Sequence, residues 1–328
     1  MSLGRAWAHQ LPEKLDQAVA CGFQGIEIFY EDHEDLEYLA KSIGGVSDHI
    51  ILKAVCQIRV MCDDRDLFIL ALQPFLNYEG LLDSQEHAQM IKKLKLWFQI
   101  AKILGTDIIQ IPSSFRTKGV TGAEAVIVKD MVEVAELGLQ ETPPVRFVYE
   151  NLSWGTYVRT WEHVWNIVAK VDRPNFGLAL DTFHITGGEW GDLSSPDGKI
   201  KNADEVLKKS LQKMKKIIDV KKVFYVQVGD AERLKNPLTS EHPFYVDGQP
   251  PGMSWSRNAR LFLFEKLGYL PFLDVVKAIT EEDGLGYEGW ISLELFSRTA
   301  ADPGVNVPKE HARMAIEGWR KLIETMGW

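Results

Sequence analysis

The sequence predicts an α/β fold, a (β/α)₈ TIM barrel in a single domain spanning 1–328, with a truncated first strand and a long loop after strand seven. Three observations carry that prediction. Short apolar runs rich in β-branched and aromatic residues alternate with longer amphipathic segments, the pattern of parallel strands joined by helical crossovers. Four of the runs carry a carboxylate or amide near their C-terminal end: Glu150 in FVYE, Asp181 in LALD, Gln227 in FYVQ and Glu294 in SLEL. The spacings between these residues, 31, 46 and 67, are one βα unit each once the loop GGEWGDLSSPDGKI and a longer one over 229–256 are allowed for. A length of 328 residues suits one such barrel.

Along the chain, Met1–Gly4 supply only the end of a first strand. The helical stretch LPEKLDQAVACG, with Gly22 suited to its C-terminus, leads into a second strand, QGIEIF at 24–29. A helical region over about 33–64, interrupted at Gly44 and Gly45, precedes the strand LFILALQPF at 67–75, which Pro74 ends. The segment 84–105 is helical, with Ser84 as its cap and Met90, Leu94, Trp97, Ile100, Ala101 and Leu104 on one apolar face. DIIQIP at 107–112 is the next strand, followed by a helix over about 121–140. RFVYEN, FGLALD, KVFYVQV and GWISLELF complete the strands, with helices over about 158–170, 201–219, 257–280 and 308–326. The glycine pairs at 44–45 and 187–188 read as turns. The Pro- and Gly-rich segment 229–256 reads as a lid over the mouth.

Composition narrows the function classes. Lys+Arg of 37 against Asp+Glu of 46 gives a net charge of −9, which opposes nonspecific nucleic-acid binding. An anionic small-molecule substrate would therefore need specific basic groups. The three cysteines, Cys21, Cys56 and Cys62, are odd in number and lack CxxC spacing, so they read as reduced, buried thiols. No apolar run reaches membrane-spanning length and MSLGRAWAHQ has no apolar signal core, so a cytoplasmic protein without a membrane partner is expected. A homo-oligomer is compatible with all of this.

If the runs are staves of one barrel, their tips converge on the mouth where barrel enzymes carry their chemistry. Three carboxylates and an amide oxygen form a set suited to Mg²⁺ or Mn²⁺ rather than structural zinc. One such acid would be an ordinary helix cap. Four such polar ends are harder to explain by capping, and the three carboxylates among them would be costly to bury without a cation. His184, in DTFHIT, reads as a fifth ligand, a general base or a satisfied loop histidine. Arg257 and Arg260, where the long loop enters a helix, could clamp a substrate carboxylate or form surface salt bridges. Trp255 beside them reads as a pocket wall or as core packing. Gln73 and Tyr78, in LQPFLNYEG, close their strand at the same mouth as substrate contacts, and Glu27 reads as a mouth hydrogen-bonder. GxGxxG, GxxxxGK[ST], GxSxG and HExxH are absent, so nucleotide cofactors and serine hydrolysis gain no support.

Taken together, the pieces Ser2–Ala6, GIEIFYEDHEDL (25–36), LQPFLNYEG (72–80), YEN (149–151), LALDTFHI (178–185), YVQVGDAE (225–232), SWSRNARLFLFE (254–265) and WISLELF (290–296) resemble the xylose-isomerase-like barrel superfamily. Within it they are most similar to the 3-dehydroshikimate dehydratases. That resemblance implies Glu150, Asp181, Gln227 and Glu294 as ligands to a divalent metal ion (Mn²⁺, Mg²⁺ or Co²⁺), His184 as base, and Arg257, with Arg260, as substrate-binding groups. The implied reaction is the dehydration of 3-dehydroshikimate to protocatechuate in quinate and shikimate catabolism. A sugar or ketose isomerase or epimerase on the same barrel is the alternative, since its chemistry also begins with metal-assisted proton removal beside a carbonyl. A noncatalytic barrel or an abasic-site nuclease differs more. The nuclease would need a basic groove and more histidine ligands.

Overall fold

The computed structural model describes residues 1–31 and 34–328. Six of its strands run in chain order around a parallel sheet: β1 (Gly25–Phe29), β2 (Phe68–Gln73), β3 (Ile108–Pro112), β4 (Arg146–Glu150), β5 (Phe176–Asp181) and β6 (Val223–Val228). A two-stranded antiparallel ribbon, β7 (Asp230–Ala231) with β8 (Arg260–Leu261), stands apart from the sheet, and β9 (Ile291–Leu293) pairs in parallel with β6. The (β/α)₈ expectation is met by seven staves, and the sheet is not closed between β1 and β9. Met1–Gly4 form no strand, although the Ser2 hydroxyl accepts the Leu295 N–H at 3.0 Å beside β9. A cavity of about 240 Å³ lies where a further stave would run, between Ile26 of β1 and Leu293 of β9.

The long helices form an outer layer because they present an apolar stripe inward, whereas the short helix after β5 is buried over the successive residues Thr182–Thr186. The helices are α1 (Leu11–Ala20), α2 (Asp35–Ile43), α3 (Asp48–Asp63), α4 (Ser84–Leu104), α5 (Glu124–Leu139), α6 (Trp161–Val171), α7 (Thr182–Glu189), α8 (Ala203–Ile217), α9 (Pro251–Ala259), α10 (Phe272–Thr280) and α11 (Val307–Met326). In α4 the stripe is Leu94, Trp97, Phe98, Ile100, Ala101 and Leu104, all buried. Its cap is Asp83, whose carboxylate accepts the Gln85 N–H at 2.8 Å, so the expected cap Ser84 is the first helical residue instead. Gly105, at φ 73°, ends it in the left-handed conformation that costs glycine least. Among the described residues no helix is long and apolar enough to cross a membrane.

Two expectations along the chain are corrected. The single helix over 257–280 is divided into α9 and α10, because Arg260 and Leu261 leave helical geometry to pair with Ala231 and Asp230. The glycines at 187–188 are not a turn but lie within α7, directly after β5. A Cβ on Gly187 would come within 3.2 Å of both the Ser153 hydroxyl and the Trp255 ring, so the small residue lets α7 pack closely there.

The four strand-tip residues are also not at one level. Asp181 faces Gln227 directly across the β5–β6 ladder, but Gln227 is paired with Ser292, two residues before Glu294. Likewise Tyr149 pairs with Leu178, leaving Asp181 further along its strand than Glu150. This stagger is what tilted strands of a barrel impose.

Candidate metal and active site

At the mouth, Glu150 and Asp181 end β4 and β5, and α7 begins immediately after Asp181, turning His184 back over the same opening. The Asp181 carboxylate caps α7 by accepting the Phe183 N–H at Oδ1, 2.7 Å. His184 Nε2 then lies 3.6 Å from Asp181 Oδ2 and 4.0 Å from Glu150 Oε1. Glu150, Asp181 and His184 are all buried, and each offers one ligand atom within 4.8 Å of the others, a group that could hold a metal ion. Glu294 and Gln227 adjoin this triad. Gln227 Nε2 donates to Glu294 Oε1 at 3.1 Å, while Glu294 Oε2 faces the guanidinium of Arg260 at 3.0 Å.

Arg260 is the hub. It is fully buried, donates from Nη1 to Asp181 Oδ2 at 2.9 Å and from Nε to Ser256 Oγ at 3.0 Å, and lays its guanidinium 4.1 Å from the centre of the Phe183 ring. It was expected to take a substrate carboxylate, but carboxylates of the chain itself already engage it. Arg257, one turn earlier in α9, lines the mouth cavity and reaches Gln249 Oε1 at 3.4 Å.

The electrostatics show a deficit of positive charge. Three buried carboxyl groups, Glu150, Asp181 and Glu294, share one guanidinium. Burial pushes Glu294 up to about 8, lifts Glu150 well above the usual carboxylate range and raises Asp181, with Arg260 opposing the rise in all three. Burial, with the Arg260 charge adding to it, drives His184 well below its ordinary value, so its ring is neutral. That ring has a single lone pair and two donors facing it: the Ser153 N–H at Nδ1, 3.2 Å, and Arg260 Nη2 at Nε2, 3.0 Å. The charged donor is the stronger and the closer, which favours the lone pair at Nε2, on the side of the carboxylates.

Two oxygens in the cluster have no hydrogen-bond partner among the described residues: Glu150 Oε1 and Gln227 Oε1 are buried without one, whereas Glu150 Oε2 accepts from Gln110 Nε2 at 2.8 Å. Leaving such an atom unsatisfied costs roughly 1–3 kcal/mol each. A hard divalent cation fits this donor set, because it takes oxygen ligands and supplies the missing charge. Glu150, Asp181, Gln227 and Glu294 would hold it, with His184 at the rim.

The mouth cavity, about 90 Å³, is lined by Gln73, Leu76, Glu150, Trp154, His184, Arg257 and Glu294 among others. Gln73 reaches it as expected and donates to Glu27 Oε2 at 2.8 Å. Tyr78 does not. Its ring packs against Phe75 and His87, and its hydroxyl donates to the Asp130 carbonyl at 3.1 Å, so its expected substrate contact is replaced by a place in the helical layer. Trp255 is core, its ring tilted by 38° against that of Phe183, with Nε1 donating to the Glu232 carbonyl. The wall is Trp154, 4.8 Å from the His184 ring, which the sequence reading missed. Gln110 was missed too, although a lone amide within the apolar run DIIQIP was the available signal.

Comparison with known proteins agrees with this fold. The family described as "Xylose isomerase-like TIM barrel" matches residues 15–324. A 3-dehydroshikimate dehydratase of Neurospora crassa is 46% identical over 334 residues, covering 99% of this chain and 92% of that protein. One of Pseudomonas aeruginosa is 29% identical over 95% of this chain, which spans only 39% of that longer protein. Among solved structures, a xylose isomerase-like TIM barrel/4-hydroxyphenylpyruvate dioxygenase fusion protein superposes with a TM-score of 0.72 at 26% identity, covering 99% of this chain and 42% of its own. The chain belongs to the xylose isomerase-like TIM-barrel family, on the branch that includes the Neurospora 3-dehydroshikimate dehydratase.

Proposed function

We propose that this protein is a divalent-cation-dependent 3-dehydroshikimate dehydratase, converting 3-dehydroshikimate to protocatechuate in quinate and shikimate catabolism. The observation that carries the reading is the buried group of Glu150, Asp181 and His184 at the mouth of a chain aligned almost end to end with a dehydratase. Glu150, Asp181, Gln227 and Glu294 hold the cation. When bound, it supplies Lewis acidity at the substrate carbonyl, beside the proton to be lost.

His184 takes that proton. A neutral ring with its lone pair at Nε2 is the form a base requires, and Asp181 at 3.6 Å stabilises the imidazolium that results. Arg257, on the cavity wall, holds the ring carboxylate, which answers how a chain of net charge −9 binds an anion. Arg260 instead keeps Asp181 and Glu294 in place. Trp154 and the segment 229–256 exclude water around the reacting ring, so that Arg257 and the imidazolium formed at His184 act in a medium where their charges count for more. The hydroxyl takes up a proton and leaves as water, balancing the proton taken by His184. The dienone that results enolises to the aromatic catechol, which makes the overall reaction favourable.

Adding 3-dehydroshikimate to the purified protein tests this. Growth of the ultraviolet absorbance of a catechol ring is expected. A sugar or ketose isomerase on the same barrel would produce none.

A further inference from the structure

Gln227 is the one amide among four candidate ligands, and an amide has two ends of nearly equal shape and opposite chemistry. Only its carbonyl end can bind a cation. Something must therefore decide which end faces inward. Gln227 Nε2 lies 3.1 Å from Glu27 Oε1, 3.1 Å from Glu27 Oε2 and 3.1 Å from Glu294 Oε1. These are three carboxylate oxygens, and in the ionised form that a bound cation favours a carboxylate can only accept. Rotating the amide by half a turn would set its carbonyl oxygen against all three. The remaining atom, Oε1, is buried with no hydrogen-bond partner among the described residues.

Glu27 is on β1 and Gln227 on β6, strands that are not neighbours in the sheet, so the contact crosses the barrel interior. Glu27 is itself fixed. Gln73, at the end of β2, donates from Nε2 to Glu27 Oε2 at 2.8 Å and to Glu294 Oε1 at 3.3 Å. The two glutamines thus approach one carboxylate with their donor ends, forming a chain Gln73–Glu27–Gln227.

We propose that Glu27, held by Gln73, is the positioning residue that turns the Gln227 carbonyl oxygen toward a bound cation. The inference rests on the divalent-cation reading given above. Glu27 does not touch the cation. It acts by denying the carbonyl end of Gln227 any other orientation, the role that partners behind the ligands of metal sites commonly play.

Titration of the folded protein with Mn²⁺, following the electron paramagnetic resonance signal of the free ion, tests it without recourse to turnover. Glu27→Asp keeps the charge but withdraws the carboxylate by one methylene. Affinity is expected to fall by about 10–100-fold. The exchange Glu27→Gln with Gln227→Glu reverses donor and acceptor across the same contact at unchanged net charge. It is expected to bind within a few-fold of the parent, because a carboxylate at 227 has two equivalent oxygens and the amide at 27 donates to one. Gln73→Met, neutral for neutral, is expected to weaken binding less than Glu27→Asp does. Parent protein that binds Mn²⁺ while Glu27→Asp binds it equally well would overturn the positioning role and leave the cation reading standing. Parent protein that binds no Mn²⁺ would overturn both. Should Glu27→Asp fail to fold, a reversed pair that folds but has lost Mn²⁺ binding overturns the proposal, and one that folds and binds supports it.

Discussion

Arg260 Nη1 donates to Asp181 Oδ2 at 2.9 Å, with both side chains shut off from solvent. The same nitrogen faces Glu294 Oε2 at 3.0 Å, so a single guanidinium spans two strand-end carboxylates that the cation also needs. Removing one partner of such a buried pair leaves uncompensated charge. Arg260→Met should therefore destabilise the cation-free protein by about 3–5 kcal/mol in denaturant unfolding. It should also tighten cation binding, since a competing positive charge is gone. Unchanged stability together with weaker cation binding would contradict that account.

Stability of the cation-free protein should depend on pH with an unusual sign. Burial pushes Glu294 up to about 8 from an ordinary value of 4.5, so between those values the folded state binds more protons than the unfolded chain. The stability that Glu294 contributes must then fall as pH rises through that window and level off above it. His184, held well below its ordinary 6.5, contributes a rise with pH in the lower part of the window that ends near 6.5. The raised values of Glu150 and Asp181 act in the same direction as that of Glu294. A saturating divalent cation, which favours the ionised carboxylates, should reverse the slope. Denaturant unfolding across the window, with chelator and with Mn²⁺, measures both curves. A cation-free protein growing more stable from pH 6.5 to 8, where His184 no longer contributes, would refute the assignment.

His184 separates two roles cleanly. His184→Asn keeps a polar group against the Ser153 N–H but offers no base. Turnover should drop by roughly 10²–10⁴-fold while cation affinity changes only a few-fold. Calorimetric titration alongside a turnover assay decides this, and an affinity that collapses with turnover would make His184 a ligand instead.

Much of the fold was legible because parallel strands are short, apolar and evenly interrupted, and seven of them stand where those runs were. The four strand-end polar residues were legible for the same reason, since a carboxylate ending an apolar run has few structural uses. Their stagger was not, because register between strands is set by sheet tilt and leaves no trace in sequence spacing. The break between α9 and α10 was hidden similarly. It depends on Arg260 and Leu261 pairing with residues about thirty positions earlier, which no local pattern announces. Tyr78 was misplaced because its loop turns it outward onto Glu133 and Asp130 of α5, a long-range contact. Asp83 displaced Ser84 as the cap by a single residue, a choice between two good capping side chains that periodicity cannot make.

The most direct test is the catechol-forming reaction, run on protein stripped of divalent ions by chelation, dialysed, and then reloaded with Mn²⁺ or Mg²⁺. The account predicts that turnover vanishes on stripping, returns on reloading with one ion per chain, and fails to return in a Glu294→Ala variant. Full turnover in the stripped protein, or an undiminished response to ions in Glu294→Ala, would contradict it.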